Sequence, residues 1–376
     1  MTRSGPISFC LVALSLVFAS PGVNGQSGTV AATGPKVTLA AAPAITLPGG
    51  VDSNSPAVWD LEDGLSKLFV FTSTAGAPSL SEGLAINRLG PAEPVAFTSH
   101  PGNGLWMEAV VTDDVGTWYG YYHNENPAIG CGRPDRAIAR IGAARSEDRG
   151  RTWEDLGIIL EAPSDTVACN SHNRYVIGGV GDLSVMLDED KSDLYIFFSQ
   201  YQEEASAQGV AVARLRWADR DRPVAKVMVW NNGAWLRAHV NRTPTRDVQG
   251  DVRRVWWEYP TGTPLVSTTE AWHDDDPKVD AFWGPSVHWN QAIHQYVMLL
   301  NRAKDENYSQ DGIYVSFASS LDDPRLWTLP QKILNGGKWY PQVIGLGAGS
   351  GTDKSADATA RLFIGGRSDY TISFSR

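Results

Sequence analysis

Cysteine is scarce in this 376-residue chain, with three in all, and histidine is limited to seven. Cys10 lies near the N-terminus, which leaves Cys131 and Cys169 as a lone pair. Two lone cysteines favour a disulfide over a metal site, and His123 has no second His or Cys at ligand spacing, which argues against a transition-metal centre. Concentrated basic charge is missing too. The chain carries 32 Lys and Arg against 42 Asp and Glu, a net charge of −10, with no Lys/Arg-rich block to meet a phosphate backbone, so nucleic acid is excluded as a partner. Long helix-period stretches are few, and no helix-rich second domain is visible. The one apolar run, from Ile7 to Ala19, is too short for a comfortable membrane span.

What is present points the other way. Fourteen Trp, thirty-seven Gly and twenty-two Pro describe an all-β protein of many short strands and tight turns. Aromatic-rich, mildly acidic chains suit carbohydrate, whose C–H faces stack on Trp and Tyr. The N-terminal stretch MTRSGPISFCLVALSLVFASPGVNGQSG has one Arg, the apolar run and then small residues, the layout of a secretory signal peptide. Residues 1–25 are therefore expected to be a signal, 26–35 a flexible leader and 36–376 a single domain. The other reading of the apolar run is an uncleaved anchor. The expected mature protein is secreted or periplasmic, monomeric and free of the membrane. In that oxidising setting Cys131 and Cys169 are expected to form a disulfide.

One hairpin is written five times. PAVWDLEDGLSKLFVFTS, EAVVTDDVGTWYGYYHNE, LSVMLDEDKSDLYIFFSQ, PSVHWNQAIHQYVMLLNR and PQVIG with ARLFIGGR each pair a small or polar residue and Val with a polar turn and a second strand rich in aromatics and β-branched residues. Val58, Val110, Val185, Val287 and Val343 mark the register. Further strands fill the intervals, so each repeat reads as one four-stranded antiparallel sheet. Five such sheets around an axis make a five-bladed β-propeller. A β-sandwich followed by a second β-domain is the structural alternative. Residues 36–45 are placed to close the ring by adding a strand to the last sheet. SEDRGRTW, from Ser146 to Trp153, matches the Asp-box pattern S-x-D-x-G-x-T-W of sialidase-like propellers, whose role is to hold a tight hairpin.

In a propeller the working face is lined by residues just before each first strand and just after each second strand. That rule brings Asp52, Asn54, Trp106, Glu108, Asp182, Trp283 and Trp339 together with His123, Glu125, Arg302 and Arg367. It sends Asp188, Asp190 and Asp193 of the DEDKSD tip to the opposite end, as solvated turn acids. The HDDDP run at 273–277 reads in the same way. No residue is assigned to a metal and no cofactor is required. A structural calcium or sodium ion on the axis stays open.

In these hairpins the chain resembles the five-bladed propeller glycoside hydrolases, the group of arabinanases, xylosidases, invertases and levansucrases, over most of residues 45–376. The resemblance implies a sugar pocket in which acids from separate blades act as nucleophile or base, as general acid and as orienting group. GDLSVML puts Asp182 at the group's acid position. NSPAVW has Ser55 there, with Asp52 three residues earlier. WMEAVV displaces Glu108 by one residue, and WGPSVHW has Gly284. The assignment carried forward makes Asp52 nucleophile or base, Glu108 general acid and Asp182 the orienting acid. Asn54, His123, Glu125, Arg302 and Arg367 would bind substrate, and Trp106, Trp283 and Trp339 would form stacking walls. Two other readings stay open: sialidase-like or lyase chemistry on an acidic glycan, motivated by the two arginines, and a propeller that binds carbohydrate without turnover.

Overall fold

The computed structural model describes residues 34–99, 102–247, 250–270, 272–273 and 279–376. The expected signal peptide, most of the leader and residues 274–277 of the acidic run lie outside the described residues.

Five four-stranded antiparallel units follow one another along the chain. Blade 1 is Ala57–Glu62, Leu65–Thr74, Ala77–Gly83 and Glu93–Pro94. Blade 2 is Gly104–Thr112, Trp118–Ala128, Arg133–Ser146 and Thr152–Glu161. Blade 3 is Val176–Leu187, Asp193–Gln200, Gly209–Arg216 and Met228–Asn231, extended by Ala234–Arg237. Blade 4 is Phe282–Asn290, Gln295–Ala303, Gln310–Ala318 and Gln331–Asn335. Blade 5 takes Pro341–Gly345, Thr359–Ile364 and Arg367–Ser375 from the end of the chain and Lys36–Thr46 from its beginning, so the ring closes as expected.

The first strand of each blade faces the axis, and hydrogen bonds run between neighbouring blades all the way round. Met107 N donates to Ser73 Oγ, Leu183 N to Glu108 Oε2, Val287 N to Ser184 Oγ, Trp289 N to Lys354 O and Ser55 N to Gln342 Oε1. The molecule is a five-bladed β-propeller. Its inner strands have a neighbour on both faces, which is why Val176–Leu187 is buried almost throughout rather than alternating. The five register valines are all buried.

Two local devices brace the opposite ends of blade 2. Cys131 and Cys169 are joined, with their Cα atoms 5.2 Å apart, and staple the loop between the second and third strands of blade 2 to the loop leading into blade 3. In the Ser146–Trp153 turn, Asp148 Oδ1 accepts from Thr152 N at 2.8 Å, Gly150 N donates to Ser146 Oγ at 2.9 Å and Trp153 Nε1 donates to Gly150 O at 2.8 Å. Gly150 has φ +79°, a conformation glycine adopts without steric cost. This turn joins the outer strands of blade 2 at the end away from the pocket. Among the described residues, no helix is long and apolar enough to cross a membrane.

Candidate active site

The pocket at the start of the inner strands is built on irregularities in those strands. Register shifts fall between Met107 and Ala109 in blade 2, between Gly181 and Leu183 in blade 3 and between Trp283 and Ser286 in blade 4. A bulge leaves one residue outside the ladder and re-aims its side chain. The residues freed in this way include Glu108, Asp182 and Gly284. Asp182 has φ +39° and Gly284 φ +58°, and Tyr340, at the matching place in blade 5, has φ +58°. Non-glycine residues in this left-handed region are uncommon and cluster at functional sites.

The pocket has a volume of about 160 Å³. Asp52, Glu125, Asp182 and His123 supply its polar wall, and Trp106, Tyr175, Trp283, Tyr308, Trp339 and Tyr340 supply its aromatic wall. Neither Lys nor Arg is among the described residues that line it. A second, more open cavity of about 450 Å³ adjoins it along Gly337–Tyr340, and Asp52, Tyr308, Trp339 and Tyr340 line both. Asp52 therefore stands at the junction of the axial pocket and a wider groove.

Asp182 is the most heavily bonded acid. Tyr201 Oη donates to its Oδ2, and Tyr340 Oη donates to its Oδ1 at 3.3 Å. Burial raises its pKa, while His123 and the phenol donors oppose that rise. Its backbone N donates to His123 Nδ1 at 2.9 Å, and its Oδ1 lies 3.6 Å from the same nitrogen. Asp52 is half-buried, and its N–H is tied to Ser73 O at 2.8 Å. Burial and then the charges of Asp182 and Glu125 push it up to about 6.

Glu108 sits beneath this layer. It is 1% exposed, does not line the pocket and spends Oε2 on Leu183 N at 2.7 Å. Burial, and then the Asp182 charge, hold it well above the ordinary carboxylate value. The general-acid place expected for Glu108 is therefore not where the structure puts it, because the bulge turns it into the inter-blade seam.

His123 is pulled two ways. Burial depresses its pKa, but Glu125, Asp182 and Glu108 together carry it up to about 9, which favours the imidazolium. The Asp182 N–H aimed at Nδ1 instead favours a ring whose proton is on Nε2, facing Glu125 Oε1 at 3.4 Å. The directed hydrogen bond fixes Nδ1 as acceptor, so we assign the Nε2–H tautomer.

No protein-family model matches the sequence, and a search of curated proteins returns no match. Solved structures of similar shape include an endo-arabinase from Bacteroides thetaiotaomicron, at 10% identity and TM-score 0.48, covering 88% of this chain and 97% of that one. A xylan β-1,4-xylosidase from Bacillus halodurans, at 13% identity and TM-score 0.44, covers 88% of this chain and 54% of that one. The catalytic domain of an α-L-arabinofuranosidase from Coprinopsis cinerea, at 9% identity and TM-score 0.45, covers 88% of this chain and 95% of that one.

Of the residues singled out from the sequence, Asp52, Trp106, His123, Glu125, Asp182, Trp283 and Trp339 meet around one cavity. Asn54 does not. Its Nδ2 donates to Leu183 O and Pro285 O, both at 2.9 Å, and ties three blades together below the pocket. Arg302 and Arg367 also lie away from it. Arg302 packs over Phe282 with its nearest carboxylate, Asp311, at 3.8 Å, and Arg367 is held by Asp369 at 2.8 and 2.9 Å. Neither lines the pocket, so neither is placed to grip a ligand carboxylate there. Tyr175 and Tyr308 escaped the positional rule, because they come from loops beyond the strand ends it inspects. Tyr201 and Tyr340 were within its reach, although nothing in the sequence marks them as the donors to Asp182.

Glu108, His123 and Asp182 each place one donor atom within 4.8 Å of the others. One of these donors, Nδ1, already accepts the Asp182 N–H, and calcium takes six to eight oxygens. The set does not fit a calcium shell, and no step is derived through an ion.

Proposed function

We propose that the protein is an exported glycoside hydrolase that cleaves glycosidic bonds of a poly- or oligosaccharide, with Asp52 as general acid and Asp182 as nucleophile or general base. The observation that carries this reading is a pair of carboxyl groups in different surroundings, Asp182 bonded by two phenols and Asp52 half-buried, on one sugar-sized, aromatic-walled pocket. Asp182 accepts two phenolic hydrogen bonds that stabilise its anion, and its charge in turn helps to hold the proton on Asp52. Asp52 faces both the axial pocket and the wider groove, where a leaving group would lie. It is thus placed to protonate the departing oxygen while Asp182 works on the anomeric carbon or its water.

The remaining groups set the stage for that exchange. His123 Nδ1 accepts from the Asp182 backbone N–H, which holds that residue in place and sets the tautomer, and leaves Nε2 facing Glu125. Burial and the Asp182 charge favour the protonated form of Glu108, which spares the site another buried charge beside Asp182. The aromatic wall supplies stacking faces for the C–H side of a sugar, and among the described residues no Lys or Arg lines this pocket to grip a carboxylate. Sialidase-like chemistry at this site therefore loses the arginine pair that motivated it. Export rests on the N-terminal signal pattern alone.

A screen of plant, fungal and bacterial polysaccharides for released sugars tests the reading, with Asp182→Asn and Asp52→Asn as controls. Wild type is expected to release sugar from at least one of them, and both variants are expected to lose nearly all of that release. Equal behaviour of wild type and variants on every substrate, with binding retained, would make the protein a carbohydrate-binding propeller instead.

A further inference from the structure

The long interval between the third and fourth hairpins holds an insertion that leaves blade 3 after Ala234–Arg237. It is a two-stranded ribbon in two storeys. His239–Asn241 pairs with Trp256–Glu258, and further out Thr245–Arg246 pairs with Val252–Arg253. Arg253 seats the ribbon, donating to Glu161 Oε1 of blade 2 at 2.7 Å and, within the ribbon, to Asp247 Oδ2 at 3.0 Å. The cavity between the inner face of the ribbon and the end of blade 2 is about 40 Å³, room for a few waters and no sugar. Asn126 lines that cavity and its neighbour Glu125 lines the axial pocket, so the ribbon stands beside the working face.

The outer face of the ribbon has no such cover. Val240 and Trp257 are directly opposite each other in the first ladder, 38% and 42% exposed, whereas the next pair, Asn241 and Trp256, is half-buried. The ladder then breaks before Thr245 and Arg253 resume it. The break carries Arg242 on one strand and Arg254 and Val255 on the other, all exposed. Arg237, two residues before the ribbon, is exposed as well. None of these three arginines makes a hydrogen bond or ion pair with any described residue. Of the acids nearby, Asp247 binds Arg253, Glu258 accepts from Asn241 Nδ2 at 2.5 Å, and Asp251 lies at the outer turn, beyond the second ladder. Residues 234–258 thus carry five Arg against three acids, in a chain whose net charge is −10. A local excess of cation on an acidic protein draws an anionic partner to that place while the rest of the surface repels it.

The chemistry of the face narrows the partner. More than half of Trp257 is covered, so it offers a flat face to a sugar ring rather than a wedge that inserts among acyl chains. Guanidinium groups grip carboxylates in a forked pair, and a polymer that repeats its carboxylates meets several of them at once. Two copies joined through this same face would set like charges against each other.

We propose that the outer face of the ribbon is a docking surface for an acidic polysaccharide, a polyuronate. Arg242 and Arg254 pair with uronate carboxylates, Arg237 adds attraction at longer range, and Trp257 with Val240 carries the face of a sugar ring. The surface goes beyond the hydrolase reading, since it holds the polymer beside the axial pocket whichever bond is cut there.

Calorimetric titration of the whole protein with polygalacturonate, beside its fully methyl-esterified counterpart, tests this without requiring turnover. Wild type is expected to bind the acid about tenfold or more tightly than the ester in low salt. Raising the salt to about 0.5 M should remove most of that preference. Arg237→Gln, Arg242→Gln and Arg254→Gln should each weaken binding of the acid about twofold to fivefold and leave the ester unchanged. The triple Gln variant should bring the acid down to the ester, and the triple Lys variant should keep part of the preference. Trp257→Ala should weaken acid and ester alike. Thermal melts accompany each variant, and the three arginine positions should melt as wild type does because their side chains hold nothing in the fold. Equal binding of acid and ester by wild type, binding of neither, a preference that survives the triple Gln variant, or tighter binding to phosphatidylserine vesicles than to polygalacturonate would overturn the docking surface. None of these residues lines the axial pocket, so a failure to release sugar from any substrate would remove the hydrolase reading and leave these binding ratios interpretable.

Discussion

The central channel has two mouths, and they differ in kind. At the near mouth a pocket of about 160 Å³ gathers Asp52, Glu125, Asp182 and His123 against six aromatic rings. The far mouth holds a cavity of about 570 Å³, more than three times larger, walled by Val58, Val110, Val185, Leu187 and Trp289. Its charged side chains are Glu189, at the exposed tip of blade 3, and Lys354, which Asp353 neutralises at 2.8 Å. The same five strands line both ends. What separates them is the bulges, which occur at the beginning of the strands and turn acids inward there. Size alone would favour the wrong end, whereas interacting titratable groups with perturbed proton affinities mark the right one.

The sharpest way to break this contrast is to remove a near-mouth acid. Asp182→Asn and Asp52→Asn are each expected to lower kcat by about 10²–10⁴, the usual range for an acid or base in the transition state. Steady-state kinetics on the substrate found in the screen would check this, and a loss of less than tenfold would reassign the chemistry. Tyr201→Phe comes next. It removes one donor to the Asp182 anion, so kcat/KM should fall about tenfold to a hundredfold, and the acidic limb of the pH profile should move upward.

The pH profile carries its own prediction. Asp52 must hold its proton to act as acid, so kcat/KM should decline as pH rises through about 6, and the Asp52→Asn variant should lack that limb. The sign for stability is the same. The folded protein holds this proton more tightly than the unfolded chain, so the contribution from Asp52 is complete below its ordinary value of 3.8 and is lost as pH rises through about 6. Denaturant midpoints of wild type and Asp52→Asn between pH 4 and pH 8 would show it.

Smaller effects concern the scaffold. The staple from Cys131 to Cys169 braces only the near mouth, so replacing both with Ser should cost about 2–4 kcal/mol of stability. Measured by thermal unfolding, the loss should be accompanied by weaker substrate binding. At the far mouth Glu189→Gln should change stability by no more than about 0.5 kcal/mol and leave kcat within error. A large activity loss there would mean that the channel works from both ends.

The ring was legible in the sequence because inner strands are sandwiched between neighbours, and each hairpin therefore repeats the same apolar register around Val58, Val110, Val185, Val287 and Val343. The face to which residues 52, 123, 125 and 182 belong follows from that register and from strand direction. The depth of Glu108 does not follow. One unpaired residue at a bulge has no periodic signature, yet it decides whether a side chain reaches a ligand or a seam. Arg302 and Arg367 were misplaced for a related reason, since position at a strand end says nothing about the carboxylates that capture them, Asp311 and Asp369. The insertion between blades 3 and 4, with strands His239–Asn241, Thr245–Arg246, Val252–Arg253 and Trp256–Glu258, was illegible because strands of two or three residues are too short to show a period.

The sheet that closes the ring has a consequence of another sort, in the order of events. It joins Lys36–Thr46 to Arg367–Ser375, and the contact from Thr371 to Ala40 spans 331 residues. Such a closure carries one of the largest loop entropies in the chain and cannot begin until the last strand exists. Four blades can form while the fifth waits, leaving an unpaired strand edge exposed in the meantime. Folding should therefore pass through an open ring that is easily captured or misjoined, and the final step should be slow, concentration-independent and sensitive to any change in residues 36–46.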